Sequence, residues 1–300
     1  MRLYSIVSLS LLSMSKICQA TGMVRVPIRF DELGRPEVSG TVDGNNITLR
    51  IGTGSVSHVL YPQAVDGHVP ELRIGDFAMR SVRAMYAVDR SGENYPSHLE
   101  IGRGSDILNE VESIAVIKNG VNLDEGEMVL RSTLESFTQS CMTNSTHRFD
   151  LNDHGFLEAR FVLSNEAIAA STATFQVQLS RSSPATLVVL PRTFGTGILA
   201  EMIRLGATRD DPEGWIMSNC SNELVAQLPE ILIQIGDHAI QIFPDEYVVA
   251  KADNICELRF RYQADSRYTP AAYTLNPLLL SDTNVLFTSD GRVYFGTTAL

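Results

Sequence analysis

A glycine-rich turn between two apolar segments constrains this chain more than any other feature. Apolar residues alternate along 47–51, the turn reads Gly52-Thr53-Gly54-Ser55, and an apolar pair, Val59-Leu60, precedes Pro62. Alternation with a period of two is typical of a half-buried strand, and closely spaced glycines are typical of a turn. The stretch is therefore predicted to form a strand, a loop and a second strand.

Short alternating segments continue along the rest of the chain. Residues 24–30 alternate, Asp43-Gly44-Asn45-Asn46 is a hairpin-turn signal, and further short strands are predicted at 72–76, 81–88 and 111–117. Runs of this length with turn residues between them predict an all-β protein.

Composition bounds the size of the core and the class of partner. The chain has 300 residues, of which 44% are hydrophobic, enough for one large core or two moderate ones. The formal net charge of −11 works against nucleic acid or an anionic membrane surface as a partner, because both would repel the protein at long range.

The first twenty residues have the pattern of an export signal. Arg2 precedes an apolar run over 3–14, and the small residues of Cys18-Gln19-Ala20 fit cleavage after Ala20. A buried N-terminal helix is the alternative. The run is too short to cross a bilayer, and no later apolar run is long enough. We therefore expect a secreted, extracellular protein with a signal peptide at 1–20 and no membrane span.

Secretion has consequences for cysteine and asparagine. Cys141, Cys220 and Cys256 remain after cleavage, so an oxidising compartment would pair two of them and leave one. Asn-x-Ser/Thr sequons begin at Asn46, Asn144 and Asn219, and Asn219 adjoins a cysteine. Glycosylation is predicted at Asn144 and Asn46, with unmodified surface loops as the alternative.

The glycine turn resembles the active-site loop of pepsin-like aspartic proteases, where an apolar strand leads into Asp-Thr-Gly-Ser. Gly52 stands at the position of the catalytic aspartate. The second such loop of the family precedes a Leu-Pro pair and a helix. Counting back from Leu190-Pro191, which an amphipathic pattern over 197–205 follows, places that loop at Ser182, within a residue or two. Both catalytic aspartates are therefore predicted to be replaced.

A second glycine pattern resembles another part of the family. Ile101-Gly102-Arg103-Gly104 lies about fifty residues after the first turn and is similar to the tip of the β-hairpin flap that covers a bound peptide. The resemblance implies that Arg103 places a cation over the cleft, which would favour an acidic partner. An exposed, solvated arginine is the alternative.

The last third of the chain extends the resemblance. Cys220, Leu228-Pro229, alternating strands over 231–242 and Cys256 follow the family order, as does a final hairpin over 285–296. The resemblance implies a Cys220–Cys256 disulfide and an all-β, bilobal pepsin-like fold with two β-barrel-like lobes and a few short helices. The expected lobes are 21–165 and 166–300. The region between the lobes is short for the family, which leaves open a contracted fold or a gene-model error.

Three other patterns in the sequence contain residues that are typical of other kinds of site. His147, Asp150, Asp153 and His154 carry metal-ligating atoms, but no regular spacing brings all four to one face, so a solvated loop and no metal are predicted. Gly195–Ala200 matches a dinucleotide-binding pattern, but residues 191–194 separate it from the preceding strand, so no cofactor is predicted. Ser55 and His58 lack an orienting acid and an oxyanion hole, and His58 is expected to pack on a strand.

The expected function follows from the missing acids. Peptide hydrolysis in this family needs two facing carboxyl groups that share one proton. With both replaced, the protein is expected to be an inactive, monomeric relative that acts as a binding or decoy module for a peptide or protein in the interlobe cleft. An active aspartic endopeptidase with acids elsewhere, and a decayed gene product, are the alternatives.

Overall fold

The structure is a computed structural model that describes most of the chain after residue 21. The described residues are 22–31, 34–54, 68–83, 97–119, 124–141, 146–152, 155–163, 174–179, 186–191, 200–211, 214–218, 220–252, 254–263 and 273–297. Almost all of their regular structure is β, in three sheets joined by short connections. The predicted all-β class is confirmed.

The largest sheet combines most strands of the first half of the chain with its last two strands. Its members are β1 (Val24–Phe30), β2 (Pro36–Val42), β3 (Asn45–Gly52), β4 (His68–Ile74), β5 (Phe77–Arg83), β6 (Ser97–Glu100), β7 (Ser113–Lys118), β8 (Glu125–Leu130), β9 (His147–Asp150), β21 (Thr283–Thr288) and β22 (Arg292–Thr297).

Two smaller sheets belong to the second half of the chain. One contains β10 (Phe156–Leu163), β11 (Phe175–Leu179), β12 (Val188–Pro191), β15 (Ile231–Ile235), β16 (His238–Ile242), β19 (Phe260–Gln263) and β20 (Tyr273–Leu275). The other contains β13 (Ala207–Asp211), β14 (Gly214–Met217), β17 (Val248–Ala252) and β18 (Ile255–Leu258).

The described helices are short. They are α1 (Asp106–Val111), α2 (Leu134–Gln139), α3 (Asn222–Val225), α4 (Pro244–Tyr247), a 3-10 turn at Pro277–Leu279 and a helical segment at 200–204, which lies inside the predicted helical pattern. Within the described part of the chain, no helix is long and apolar enough to cross a membrane.

The local sequence explains the first hairpin. Buried and outward-facing side chains alternate along β1, as the period of two predicts. Between β2 and β3 the chain turns at Asp43 and Gly44, which have φ of 49° and 79°. A two-residue turn with positive φ at both positions matches the twist of the strands that it joins, so the predicted hairpin signal is confirmed.

The end of the chain joins the sheet formed by its beginning. The hairpin of β21 and β22 pairs with β7 on one side and with β9 on the other. The last hairpin, which the sequence predicted over 285–296, is therefore present. The division of the chain into lobes at residues 165 and 166 stays a prediction.

The three cysteines in the described part of the chain divide into one pair and one single residue. Cys220 and Cys256 form a disulfide with Cα atoms 5.8 Å apart, as the resemblance implied. Cys256 lies in β18, opposite Met217 of β14, so the bridge ties the segment before α3 to the four-stranded sheet. Cys141 is buried and carries a free thiol.

Candidate functional site

The glycine turn begins where β3 ends. Leu49 and Ile51 point into the core, and Gly52 and Thr53 are also buried. Gly54 is the last described residue of the turn, so Ser55 and His58 lie outside the described residues. The turn is thus anchored by a buried strand on its entry side.

Strand β6 runs parallel to β3 and continues alongside the turn. Gly52 lies opposite Glu100, and the amides of Ile101 and Gly102 donate to the carbonyl oxygens of Gly52 at 2.8 Å and Gly54 at 2.9 Å. These hydrogen bonds fix the path of the turn backbone against the end of β6.

This geometry corrects the predicted flap. Ile101, Gly102, Arg103 and Gly104 connect a parallel strand to α1, whereas a flap tip joins two antiparallel strands. Helix α1 begins directly afterwards, and the Ser105 hydroxyl accepts a hydrogen bond from the Leu108 amide. A serine before Asp106 is an N-cap signal, and it was the sequence feature that argued against a hairpin tip here.

Arg103 is a structural side chain in this arrangement. Its guanidinium donates to the carbonyl oxygens of Leu151 and Asn152. It also packs on Gly291, where an added Cβ would lie 3.1 Å from the guanidinium carbon. Neither the predicted cation over the cleft nor a solvated arginine describes this residue.

Glu100 brings a carboxylate to the glycine turn. The side chain is 4% exposed, and its Oε2 accepts a hydrogen bond of 2.5 Å from the Gly54 amide. An added Cβ on Gly52 would overlap Oε2 and lie 2.7 Å from the carboxyl carbon of Glu100. No motif in the sequence marks this residue, although an acid between Leu99 and Ile101 in a buried strand is a usable signal.

A third glycine, Gly102, completes the close packing. An added Cβ there would overlap the Thr53 carbonyl oxygen and lie 2.8 Å from that of Gly54. The two backbone segments can approach this closely only because residue 102 has no side chain.

Thr53 adds a hydroxyl to the same turn. The residue is 3% exposed, and its Oγ1 has no hydrogen-bond partner among the described residues. Buried hydroxyl groups are normally satisfied, so an exception of this kind calls for a physical explanation. The turn therefore combines a carboxylate from β6, bonded to the Gly54 amide, with an unsatisfied hydroxyl on the adjacent Thr53.

The second half of the chain repeats this arrangement of strands. β11 ends at Leu179 and pairs in parallel with β20, as β3 pairs with β6. After β20, the Asn276 side chain accepts from the Leu278 amide at 3.2 Å. Ser182 lies outside the described residues, and the sequence of 180–185, Ser-Arg-Ser-Ser-Pro-Ala, contains no acidic residue.

The other candidate residues are placed away from this turn or outside the described part. Within the described residues no three His, Cys, Asp or Glu side chains are grouped to hold a metal. His147 of β9 lies against His238, with ring centroids 4.2 Å apart, and desolvation followed by repulsion from His238 lowers the pKa of His147. Asp150 pairs with Arg148.

The remaining predicted sites are separated from the turn by sequence. Asp153, His154, Asn144 and residues 195–199 of the Gly195–Ala200 pattern are outside the described residues. Asn46 is exposed at the start of β3, and its glycosylation stays a prediction.

Comparison with known proteins gives a structural match and no sequence match. No family model matches the chain, and no curated protein sequence matches it. The crystal structure of an aspartic proteinase from Irpex lacteus is similar with a TM-score of 0.66 and 10% sequence identity, covering 93% of this chain and 98% of that one. The chain has the bilobal, all-β fold of a pepsin-like aspartic proteinase.

At 10% identity the likeness shows the fold and nothing about activity. Within the pepsin-like fold, the motif resemblance assigns the turn after β3 to the first aspartate loop. That Gly52 replaces the aspartate of this loop stays a prediction; at the turn the structure places Gly52 beside Glu100 of the neighbouring strand.

Proposed function

We propose that this protein is a secreted pepsin-like homologue that binds an extended peptide or protein segment between its lobes and does not cleave it. The observation that carries the proposal is the set of acids at the two loops. At the first loop the described carboxylate is that of Glu100, and the sequence of the second, 180–185, has no Asp or Glu.

One carboxylate cannot perform the chemistry of two. In an aspartic protease one carboxyl group activates water as a base while the other, protonated, polarises the scissile carbonyl. Each general acid or base is worth about 10² to 10⁴ in rate, so loss of one partner leaves little hydrolysis. The Oε2 atom of Glu100 is moreover engaged by the Gly54 amide.

Peptide binding depends on different groups. An extended segment is held in such a cleft by main-chain hydrogen bonds and side-chain pockets, which need no titrating acid. A relative that loses hydrolysis can therefore keep its ligand and act as a binding or decoy module.

A cleavage assay tests the inactive half of the proposal. The purified mature protein is incubated with denatured haemoglobin at acidic pH, and new peptide termini are identified by mass spectrometry. We expect none. Cleavage that pepstatin blocks, and that is lost in Glu100→Gln, would refute the proposal, whereas cleavage unaffected by Glu100→Gln reports a contaminating protease.

Selection from a random displayed-peptide library tests the binding half. We expect enrichment of sequences that compete with one another for the protein, and no enrichment on a glycosylated control protein. Absence of enrichment contradicts the binding role but leaves the expected lack of cleavage intact.

An active endopeptidase is the second candidate, and the Glu100 carboxylate at the first loop is the observation that favours it. It requires a second acid from another part of the chain, and it predicts tight pepstatin binding.

The third alternative, a decayed gene product, predicts no cooperative thermal unfolding, whereas the extensive buried core supports a cooperative transition.

Export and glycosylation are parts of the same proposal. Expression of the full chain in eukaryotic cells should release a monomer into the medium that begins at Thr21. Removal of N-glycans should reduce its mass, and Asn144→Gln together with Asn46→Gln should abolish that reduction. Retention of residues 1–20 in the released protein would contradict the proposed signal peptide.

A further inference from the structure

The space at Gly52 is filled by a side chain from another strand. An added Cβ at this position would overlap the Glu100 Oε2 atom and lie 2.7 Å from Oε1, while one on Gly54 would lie 2.9 Å from Oε2. A side-chain Cβ in ordinary van der Waals contact stays farther than this from a neighbouring oxygen or carbon atom. Glycine at 52 and glutamate at 100 therefore fit each other, and a larger residue at 52 requires the Glu100 carboxylate to leave this position.

The carboxylate also has a defined contact in the turn. The Gly54 amide donates a hydrogen bond of 2.5 Å to it. A hydrogen bond from a backbone amide to a carboxylate is stronger than one to a neutral acceptor. The parallel register places Gly52 and Glu100 side by side, so a carboxylate that would branch from β3 can instead branch from β6.

We propose that Glu100 supplies, from the neighbouring strand, the carboxyl group that pepsin-like enzymes carry at position 52, and that it acts as a positioning residue for the Thr53–Gly54 turn. Glycine at 52 and glutamate at 100 are then a coupled pair of replacements: the carboxyl group branches from β6 instead of from β3. The inference deepens the proposed binding role at the same site, but its tests involve no peptide, so the two can fail separately.

Hydrogen exchange of the Gly54 amide tests the positioning role directly. Glu100→Ala removes the acceptor and should accelerate exchange of this amide by about tenfold or more relative to wild type. Glu100→Gln retains an oxygen that can accept, so it should restore most of the protection. A role in filling space alone predicts that Glu100→Met, which fills the space without an acceptor, protects the amide as well as Glu100→Gln does, and that result would overturn the proposal.

A matched control variant distinguishes loss of the Glu100 hydrogen bond at the turn from general loosening of β3. Arg50 of β3 donates a hydrogen bond to Glu37 of β2, with Nε and Oε1 3.1 Å apart, so Glu37→Ala removes a carboxylate that contacts β3. Glu37→Ala should leave the Gly54 amide as protected as in wild type. Equal acceleration in Glu37→Ala and Glu100→Ala would show general loosening of β3 and would overturn the assignment.

A double-mutant cycle tests the coupled pair of replacements. Gly52→Asp alone should lower the thermal unfolding midpoint, because its side chain meets the Glu100 carboxylate. Gly52→Asp in the Glu100→Ala background should instead raise the midpoint above that of Gly52→Asp alone, since the space and the Gly54 amide are then free for the new acid. If the decreases in midpoint of the two single variants simply add in the double variant, the proposed coupling of positions 52 and 100 is overturned.

The cycle remains decisive if Gly52→Asp does not fold. In that case the double variant is expected to fold, and failure of both while Glu100→Ala folds would count against the coupling. If Glu100→Ala itself does not fold, Glu100→Gln is compared with wild type by Gly54 exchange, and loss of protection in Glu100→Gln would overturn the positioning role.

Discussion

The buried Lys118 should make the stability of the protein depend on alkaline pH. Its ammonium group donates to the Leu280 carbonyl oxygen and lies 5.5 Å from the centre of the Phe30 ring. Desolvation by burial lowers the pKa of Lys118 from 10.5 to about 8, opposed in part by attraction to Glu246 and Asp282. The folded protein thus holds this proton less tightly than the unfolded chain does.

The sign and size of the effect follow from this difference. Between about pH 8 and 10.5 the unfolded chain binds more protons at Lys118 than the folded protein, so the free energy of unfolding rises with pH. A shift from 10.5 to about 8, at about 1.4 kcal/mol per unit, corresponds to at most about 3 kcal/mol. Below pH 8 this gain is absent.

Comparison with Lys118→Met isolates this lysine from other titrating groups. The free energy of unfolding is measured by urea denaturation without reductant from below pH 8 to above pH 10.5. The stability of Lys118→Met relative to wild type should fall by about 3 kcal/mol over this range, because only wild type gains. Lys251→Met serves as the control for loss of one lysine. A relative stability of Lys118→Met that stays flat within about 0.5 kcal/mol would refute the reasoning.

Three further predictions concern packing and cysteines. Gly102→Ala should destabilise the protein by about 1–3 kcal/mol in denaturant unfolding, whereas Gly22→Ala, which has open space around it, should have little effect. Replacing both Cys220 and Cys256 by Ser should cost roughly 3–4 kcal/mol, since the bridge spans 36 residues; an unchanged midpoint would contradict this. Burial raises the pKa of the Cys141 thiol, so an alkylating reagent should add mass to this residue after unfolding and not before.

Local patterns in the sequence predicted the features that depend on near neighbours. The alternation of β1 and the turn at Asp43-Gly44 depend on residues that are neighbours in the sequence or across one hairpin. Both can therefore be predicted from a local sequence pattern. The Cys220–Cys256 disulfide was predicted for a different reason, because the family resemblance of the whole C-terminal third implied it.

The candidate site depends on contacts that no local pattern contains. Ile101–Gly104 was assigned to a flap because a short glycine-rich string fits many loops, while its actual position depends on parallel pairing of β6 with a strand about fifty residues earlier. Arg103 reaches carbonyl groups 48 and 49 residues later in the chain. Glu100 matters for the same reason, since its partner Gly54 is 46 residues away.

The contacts at the turn that follows β3 hold its backbone in place independently of the second loop. The path of the turn is held by the amides of Ile101 and Gly102 on its carbonyl oxygens and by Glu100 on the Gly54 amide. None of these bonds requires a second carboxyl group from the other loop. Under the proposed function, replacement of an acid at 180–185 would therefore remove hydrolysis without loosening the first turn, whereas loss of Gly102 or Glu100 would disturb the turn itself. Selection for folding alone would then retain the glycines and Glu100, and selection for catalysis would have had to retain both acids.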